Sequence, residues 1–359
     1  EDGEIHSTVF VIPEQPTIWD YAELSEKLPG GNYSVAGDMD SDQATELALA
    51  WALAGYKFDR YQSEPNDKVL TSLEWPRLCR RDEVTRIAEA ITLVRDLINT
   101  PATDMGPDEL VGTAKELSLK HGANISVILG DKLLKENFPA IHVVGRAHDR
   151  APRLIDIKWG KLSDPKVTLV GKGVCFDTGG LNIKPASGMK FMKKDMGGAA
   201  HVFGAAHAIM AAALPIRLRV LVPAVENSIS GNSMRPGDVV NTRKGLTIEI
   251  GNTDAEGRII LADALTEASA EKPEIIIDFA TLTGAARVAL GTELPALFCN
   301  NNDFANGLLN AGSAVTDPLW RMPLWASYDE QVNGKVADVN NAPESNYGGS
   351  ITAALFLQR

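Results

Sequence analysis

The stretch Leu246–Ala270 reads LTIEIGNTDAEGRIILADALTEASA, and its three parts decide the fold. Leu246 to Ile250 (LTIEI) alternates in the manner of a short strand, and Ile259 to Ala270 (IILADALTEASA) has helical composition. Between them, Asn252 to Arg258 (NTDAEGR) sets two carboxylates, Asp254 and Glu256, and a guanidinium, Arg258, on one turn. A loop that leaves a strand and enters a helix is where open α/β sheets place ligands, because side chains and helix N-termini converge there. The heptapeptide therefore reads as half of a metal site in an α/β protein.

The same alternation extends outward from this stretch. From Asn99 onward, strand candidates fall at Ile125–Leu129, His142–Gly145, Leu154–Lys158, Val167–Gly171, Arg217–Val222 and Glu274–Phe279. Helix candidates fall near Pro107–His121, Gly197–Ala213 and Ile259–Glu271. This spacing predicts a mainly parallel mixed sheet sandwiched by helices. Ahead of it, Glu4 to about Ser72 carries the β-like run His6–Ile12 (HSTVFVI) and a turn at Pro29–Asn32. An apolar helix follows from about Gln43 to Gly55, with Ser41 and Asp42 as its caps. The segment Glu74–Arg81 (EWPRLCRR) breaks the pattern before an amphipathic helix resumes at Val84–Ile98. The expected organisation is a smaller N-terminal α/β domain over 1–78, a linker helix over 79–100, and a larger domain carrying the chemistry over 101–359. The apolar run Ser350–Arg359 (SITAALFLQR) stops without a Gly, Pro or polar tail, which predicts a natural protein that continues. A first residue of Glu1 rather than Met likewise leaves room for residues or a leader ahead of it.

Composition excludes more than it assigns. A net charge of −12 argues against a nucleic-acid partner, which would want a basic face. No uncharged run approaches the roughly 18 residues of a membrane span, and the N-terminus lacks the basic flank and apolar core of a secretory signal. The three cysteines, Cys79, Cys175 and Cys299, are odd in number and far apart, which points to reduced thiols in a cytoplasmic setting.

Among candidate chemistries, the six histidines include no His-x3-His pair, and His201 and His207 are spaced onto different helix faces, so a His-ligated metal is disfavoured. Neither a Gly-x-Ser-x-Gly elbow nor a Walker loop is present. Cys175 lies beside Asp177 without an evident His partner and reads as a packed thiol. Val167–Pro185 (VTLVGKGVCFDTGGLNIKP) runs a strand into glycines around Lys172, Asp177 and Lys184. Alone, it is balanced evenly against a solvated loop with an incidental lysine. In MKKDMGGAA, Asp195 begins an apolar helix and alone reads as an N-cap. Taken together, Asp177, Asp195, Asp254 and Glu256 each sit at a junction into a turn or helix. Four clustered carboxylates without cations would repel and take up protons. Two divalent ions would balance them, and sharing carboxylates is how two metals are held about 3.5–4 Å apart for hydrolysis. Lys184 and Arg258 then remain as positive groups suited to the charge of a tetrahedral transition state.

The segments GKGVCFDTGGLNIKP, MKKDMGGAA, VENSISGNSMRPGDVV, DFATLTGAARVALG and above all NTDAEGR resemble the leucyl aminopeptidases, or cytosol aminopeptidases, two-metal exopeptidases of the cytoplasm. The resemblance runs from about Arg86 to the end and is loose over the first seventy or so residues. It implies that Asp177 and Glu256 bridge two metals, that Lys172 and Asp195 bind the tighter one, and that Asp254 binds the exchangeable one through its side chain and backbone carbonyl. Lys172 would have to be neutral to donate a lone pair. The resemblance further implies that Lys184 steadies a gem-diolate and that Arg258 holds a bicarbonate acting as general base on a metal-bridging hydroxide or its parent water. Met192, Asn252, Thr281, Leu282 and Gly284 would line the pocket for the first side chain, favouring Leu and other apolar residues. The expected cofactors are two divalent ions per subunit, Mn2+ or Zn2+, with Co2+ and Mg2+ as alternatives. The expected assembly is a homohexamer acting on peptides. Two other readings stand beside this one: a non-catalytic DNA-binding relative and another two-metal hydrolase such as a phosphoesterase.

Overall fold

The computed structural model of the protein describes residues 7–14, 16–63, 71–345 and 347–359. The chain divides into two compact units, Glu1–Thr92 and Leu93–Arg359. In the first, helices α1 (Ile18–Lys27) and α2 (Ser41–Ala54) bury Ile18, Tyr21, Leu47, Ala50 and Leu53 together. A short parallel pair accompanies them, β1 (Gly31–Tyr33) with β2 (Thr71–Leu73). The N-cap of α2 is Asp40, not Ser41 or Asp42, its extended backbone letting the carboxylate accept from Asp42 N and Gln43 N, both at 2.9 Å. The β-like run His6–Ile12 begins at His6, which lies outside the described residues, and residues 7–12 form no strand. Val9 and Val11 stand exposed, because a strand needs a neighbour to pair with and none reaches this run among the described residues. Helix α3 (Arg81–Asn99) contains the division between the units.

The second unit is built on a mixed sheet ordered β10-β5-β7-β4-β3, with β6 also beside β7. Its strands are β3 (Asn124–Leu129), β4 (Arg153–Trp159), β5 (Lys166–Gly171), β6 (Gly173–Asp177), β7 (Arg217–Asn227) and, after the short β8 (Val239–Asn241) and β9 (Thr247–Glu249), β10 (Ile275–Phe279). The strands β10, β5, β6 and β7 run parallel, while β4 and β3 join antiparallel at one edge. Successive residues of β7 feed opposite faces. Leu221 and Val225 pack on one side, and Val220, Val222 and Ala224 on the other, as the two-residue period of a strand requires.

One face is covered by α4 (Pro107–His121) and, after the short α5 (Lys132–Lys135), α6 (Pro139–Gly145) and α7 (Ala186–Met189), by α8 (Gly197–Ala211). The other carries α6, α9 (Glu256–Ala270) and, after α10 (Gly284–Leu290) and α11 (Asn302–Ala314), α12 (Gly349–Gln358). The remaining short strands are β11 (Ala296–Leu297) paired with β12 (Trp320–Arg321), and β13 (Val339–Asn340), which pairs in parallel with β9.

The segment His142–Gly145, expected as a strand, is the end of α6. Pro139 opens this helix, where its missing N–H costs nothing. The buried Asp263 carboxylate of α9 accepts from Ala140 N at 2.8 Å and Ile141 N at 3.3 Å. A cap supplied from a distant part of the chain thus overrides the β-branched composition of the segment.

Candidate metal centre

The sheet delivers its chemistry at the carboxyl ends of its parallel strands. Lys172 occupies the junction of β5 and β6, its N–H donating to Phe279 O of β10 and its carbonyl accepting from Ala199 N of α8, both at 2.9 Å. A buried backbone fixed on both sides sends the side chain inward, where Nζ stands 2.9 Å from Asp195 Oδ2 and 3.0 Å from Glu256 Oε1. It also donates to Thr281 O at 3.1 Å. Asp195 lies in a 3-10 turn, Met192–Met196, that feeds directly into α8, and Glu256 is the first residue of α9.

Asp177 ends β6 and is paired across the ladder with Asn227, the last residue of β7. Its Oδ1 accepts from Gly179 N and Asn227 Nδ2, each at 2.8 Å, and its Oδ2 faces Lys184 Nζ at 2.8 Å. The same ammonium lies 2.5 Å from Asp254 Oδ1. Asp177, Asp195 and Glu256 each bring a carboxylate oxygen to within 4.8 Å of the others.

The heptapeptide loop is braced on two sides. Thr253, fully buried, donates through Oγ1 to Gly179 O at 2.6 Å, and its N–H donates to Asn182 Oδ1 at 2.9 Å. On the other side Asn341, just after β13, accepts from Gly251 N at 2.8 Å and donates to Asn252 O at 2.7 Å. Asn252 folds the turn itself, its Oδ1 accepting from Asp254 N at 2.8 Å.

The electrostatics are those of a site with too much negative charge. Burial, reinforced by Asp177 and Asp195, pushes the Glu256 carboxyl up to about 8 despite Lys172. Burial likewise raises Asp254, with Asp177 adding to it. For Lys172, burial pulls the ammonium down, but the facing Asp195, Glu256 and Asp177 outweigh it and hold the group above its usual range. Lys184 behaves in the same way between Asp177 and Asp254. Burial pushes the Arg258 guanidinium down to about 10. Asp195 Oδ2, Asp254 Oδ1 and Glu256 Oε1 are buried yet accept no well-formed hydrogen bond, each facing an ammonium at ion-pair distance. Carboxylate oxygens left in this condition fit divalent cations better than they fit a dry protein interior.

The residues singled out from sequence thus fall into groups. Lys172, Asp177, Lys184, Asp195, Asp254 and Glu256 form one connected charged cluster. Thr281 joins it, donating through Oγ1 to Asp195 Oδ1 at 2.7 Å. Met192 opens the turn that holds Asp195, and Asn252 shapes the turn that holds Asp254. Leu282 instead packs against the apolar core, and Gly284 begins α10 with open space about it. Arg258 is buried on α9 with its guanidinium 5.8 Å from the centre of the Phe356 ring and its Nε without a hydrogen-bond partner. Asn227, Asn182 and Asn341, which brace the site, are not legible as site residues from sequence. A lone asparagine carries no spacing signal, and only the junction of β7 with the Asp177 turn marks Asn227.

The model of the cytosol aminopeptidase family catalytic domain matches residues 92–359, and that of the M17 aminopeptidase N-terminal domain matches residues 1–73. A probable cytosol aminopeptidase of Syntrophotalea carbinolica is 41% identical over 321 residues, covering 86% of this chain and 64% of that protein. One from Rhodopseudomonas palustris is 40% identical over 355 residues, covering 94% and 71%. The chain therefore spans about two thirds of the length of the curated relatives it matches. Among solved structures, the cytosol aminopeptidase of Coxiella burnetii superposes with a TM-score of 0.90 at 51% identity, over 95% of this chain and 74% of that one. The bottromycin maturation enzyme BotP in complex with Mn gives 0.87 at 35% identity, over 95% and 76%.

Proposed function

The chain belongs to the cytosol aminopeptidase family, and on that premise we propose that it is a metal-dependent aminopeptidase releasing N-terminal residues, Leu and other apolar ones first, from peptides. The observation that carries this reading is the convergence of Asp177, Asp195 and Glu256, with Asp195 Oδ2 and Glu256 Oε1 buried and facing the Lys172 ammonium without a well-formed hydrogen bond. Lys172, Asp177, Asp195, Asp254 and Glu256 would hold two divalent ions. A donor set of oxygens with one amine suits Mn2+ or Zn2+, and also Co2+ or Mg2+. When bound, such ions supply Lewis acidity toward a peptide carbonyl and make water a nucleophile at neutral pH.

The chain's own residues supply the rest. The Asp195 carboxylate, held by Thr281, is suited to pair with the α-ammonium of a peptide, which restricts the reaction to free N-termini. Lys184 has a side chain 14% exposed and held by Asp177 and Asp254, and in this reading its ammonium meets the negative charge that develops on the scissile carbonyl oxygen. Lys172, an ammonium held by Asp195 and Glu256, would have to lose its proton to solvent to offer a lone pair, and the ions would then supply the countercharge to the carboxylates. Arg258, buried with Nε unpaired, is suited to hold an anion, bicarbonate in this reading, whose chemistry is that of a general base. Met192, Asn252, Thr281, Leu282 and Gly284 are proposed to line the pocket for the first side chain.

The same reading carries a homohexamer in the cytoplasm, which sedimentation velocity and fractionation test. Among the described residues no helix is long and apolar enough to cross a membrane. The direct test of the activity is turnover of leucine p-nitroanilide against nitrophenyl phosphate by the Mn2+-loaded protein. The anilide alone should be hydrolysed, and phosphatase activity without it would assign a different two-metal hydrolase.

A further inference from the structure

The geometry points to Asn227 as a positioning residue that sets which oxygen of Asp177 and which oxygen of Glu256 is turned toward the metal site. This rests on the metal-site reading above and concerns a residue that is not itself a ligand in that reading. Asn227 is 2% exposed and ends β7 directly beside Asp177 in the ladder. Its carbonyl is taken by the Asp177 turn, accepting from Thr178 N at 3.1 Å and Thr178 Oγ1 at 2.8 Å. Its backbone therefore cannot shift without moving that turn.

The side-chain amide has two hydrogens and faces three acceptors. These are Asp177 Oδ1 at 2.8 Å, Thr253 O at 3.1 Å and Glu256 Oε2 at 3.4 Å. They belong to the end of β6, the heptapeptide loop and the start of α9, so one donor group ties the two halves of the site together. The consequence is a division of labour between oxygens. Asp177 Oδ1, taken by Asn227 and Gly179 N, belongs to the scaffold, while Oδ2 faces Lys184. Glu256 Oε2 is turned to Asn227, while Oε1 faces Lys172 and accepts no well-formed hydrogen bond. A carboxylate with one oxygen tied down has lost the rotation that would otherwise be lost on binding an ion. Partners of this kind orient ligands, and their removal weakens metal affinity by about 10–100-fold.

The preceding residue shows how the strand achieves this. Glu226 points to the opposite side of β7, pairing with His148 Nε2 at 3.2 Å and Arg150 Nη1 at 3.5 Å. The two-residue period of the strand thus commits Asn227 to the site face.

The test is calorimetric titration of Mn2+ into metal-stripped full chain, wild type against Asn227→Leu, which matches the side chain in size and lacks the donors. Asn227→Ala serves as the second variant should the first fail to fold. Circular dichroism and a thermal melt identify folded protein. The expected result is Mn2+ binding weakened about 10–100-fold in a folded variant, with a smaller rise in melting temperature on adding Mn2+ than wild type shows. A purely structural role would lower the melting temperature of the metal-free protein and leave the Mn2+ dissociation constant of the folded fraction unchanged. A folded variant within twofold of wild type would overturn the proposal alone. Failure of the wild-type chain to bind Mn2+ would overturn the metal-site reading and this proposal with it.

Discussion

A Cβ built on Gly257 would lie 2.7 Å from Nζ of Lys172, so the second residue of α9 and the lysine at the β5–β6 junction share one space that only glycine leaves free. The lysine has no slack, because its ammonium is already held by Asp195 and Glu256. Gly257→Ala should therefore fold at some cost in stability, since overpacking against a held side chain costs about 1–3 kcal/mol against the roughly 1 kcal/mol by which alanine is favoured over glycine in a helix. Its turnover of a leucine anilide should fall by about tenfold or more as Lys172 is displaced. A thermal melt and a kcat measurement on one preparation check both halves.

Loss of the carboxylates should be more severe. Asp254→Ala or Glu256→Ala should abolish turnover of the anilide, because each removes an oxygen that faces the centre of the cluster. Near-wild-type rates after saturation with Mn2+ would refute the assignment of that residue.

Lys184→Ala separates chemistry from binding. If its ammonium meets charge that develops only in the transition state, kcat should drop by about 100–1,000-fold while KM for an uncharged substrate moves much less. A change confined to KM would contradict the role.

Asp263 provides a control on the scaffold. Its carboxylate is fully buried and accepts from Ala140 N, Ile141 N and Arg243 N. Asp263→Ala strands those donors and should cost about 2–4 kcal/mol of stability by urea unfolding. The folded fraction should keep wild-type turnover, and a loss below about 1 kcal/mol would show that the cap of α6 is dispensable.

The sequence made the sheet legible wherever a strand alternates or runs apolar, as in β3, β4, β5 and β10, and it made α4 legible from a Pro start and a Gly stop. It under-read β7, expected to stop at Val222 but running to Asn227. Pro223 reads as a strand end because it cannot donate to a ladder. In the fold it falls where β5 gives way to β6, between the pairs Val170–Leu221 and Gly173–Ala224, so no parallel neighbour there needs its N–H. Helix α6 was misread for a related reason, since Asp263, its cap, lies more than a hundred residues away. The charged candidates could be found because carboxylates and lysines between glycines are conspicuous. The asparagines that brace them were not, because their work is visible only once three separate turns have been brought together.

The central claim, a free-N-terminus peptidase that depends on divalent ions in the Asp177–Asp195–Glu256 cluster, is tested most directly by one titration. Metal-stripped full chain is given increasing Mn2+ while release of leucine is followed from a leucyl peptide and from its N-acetylated form. The account predicts no release without metal, activity that saturates at two Mn2+ per chain, and no cleavage of the acetylated peptide. Full activity in the stripped protein, or equal cleavage of both peptides, would contradict it.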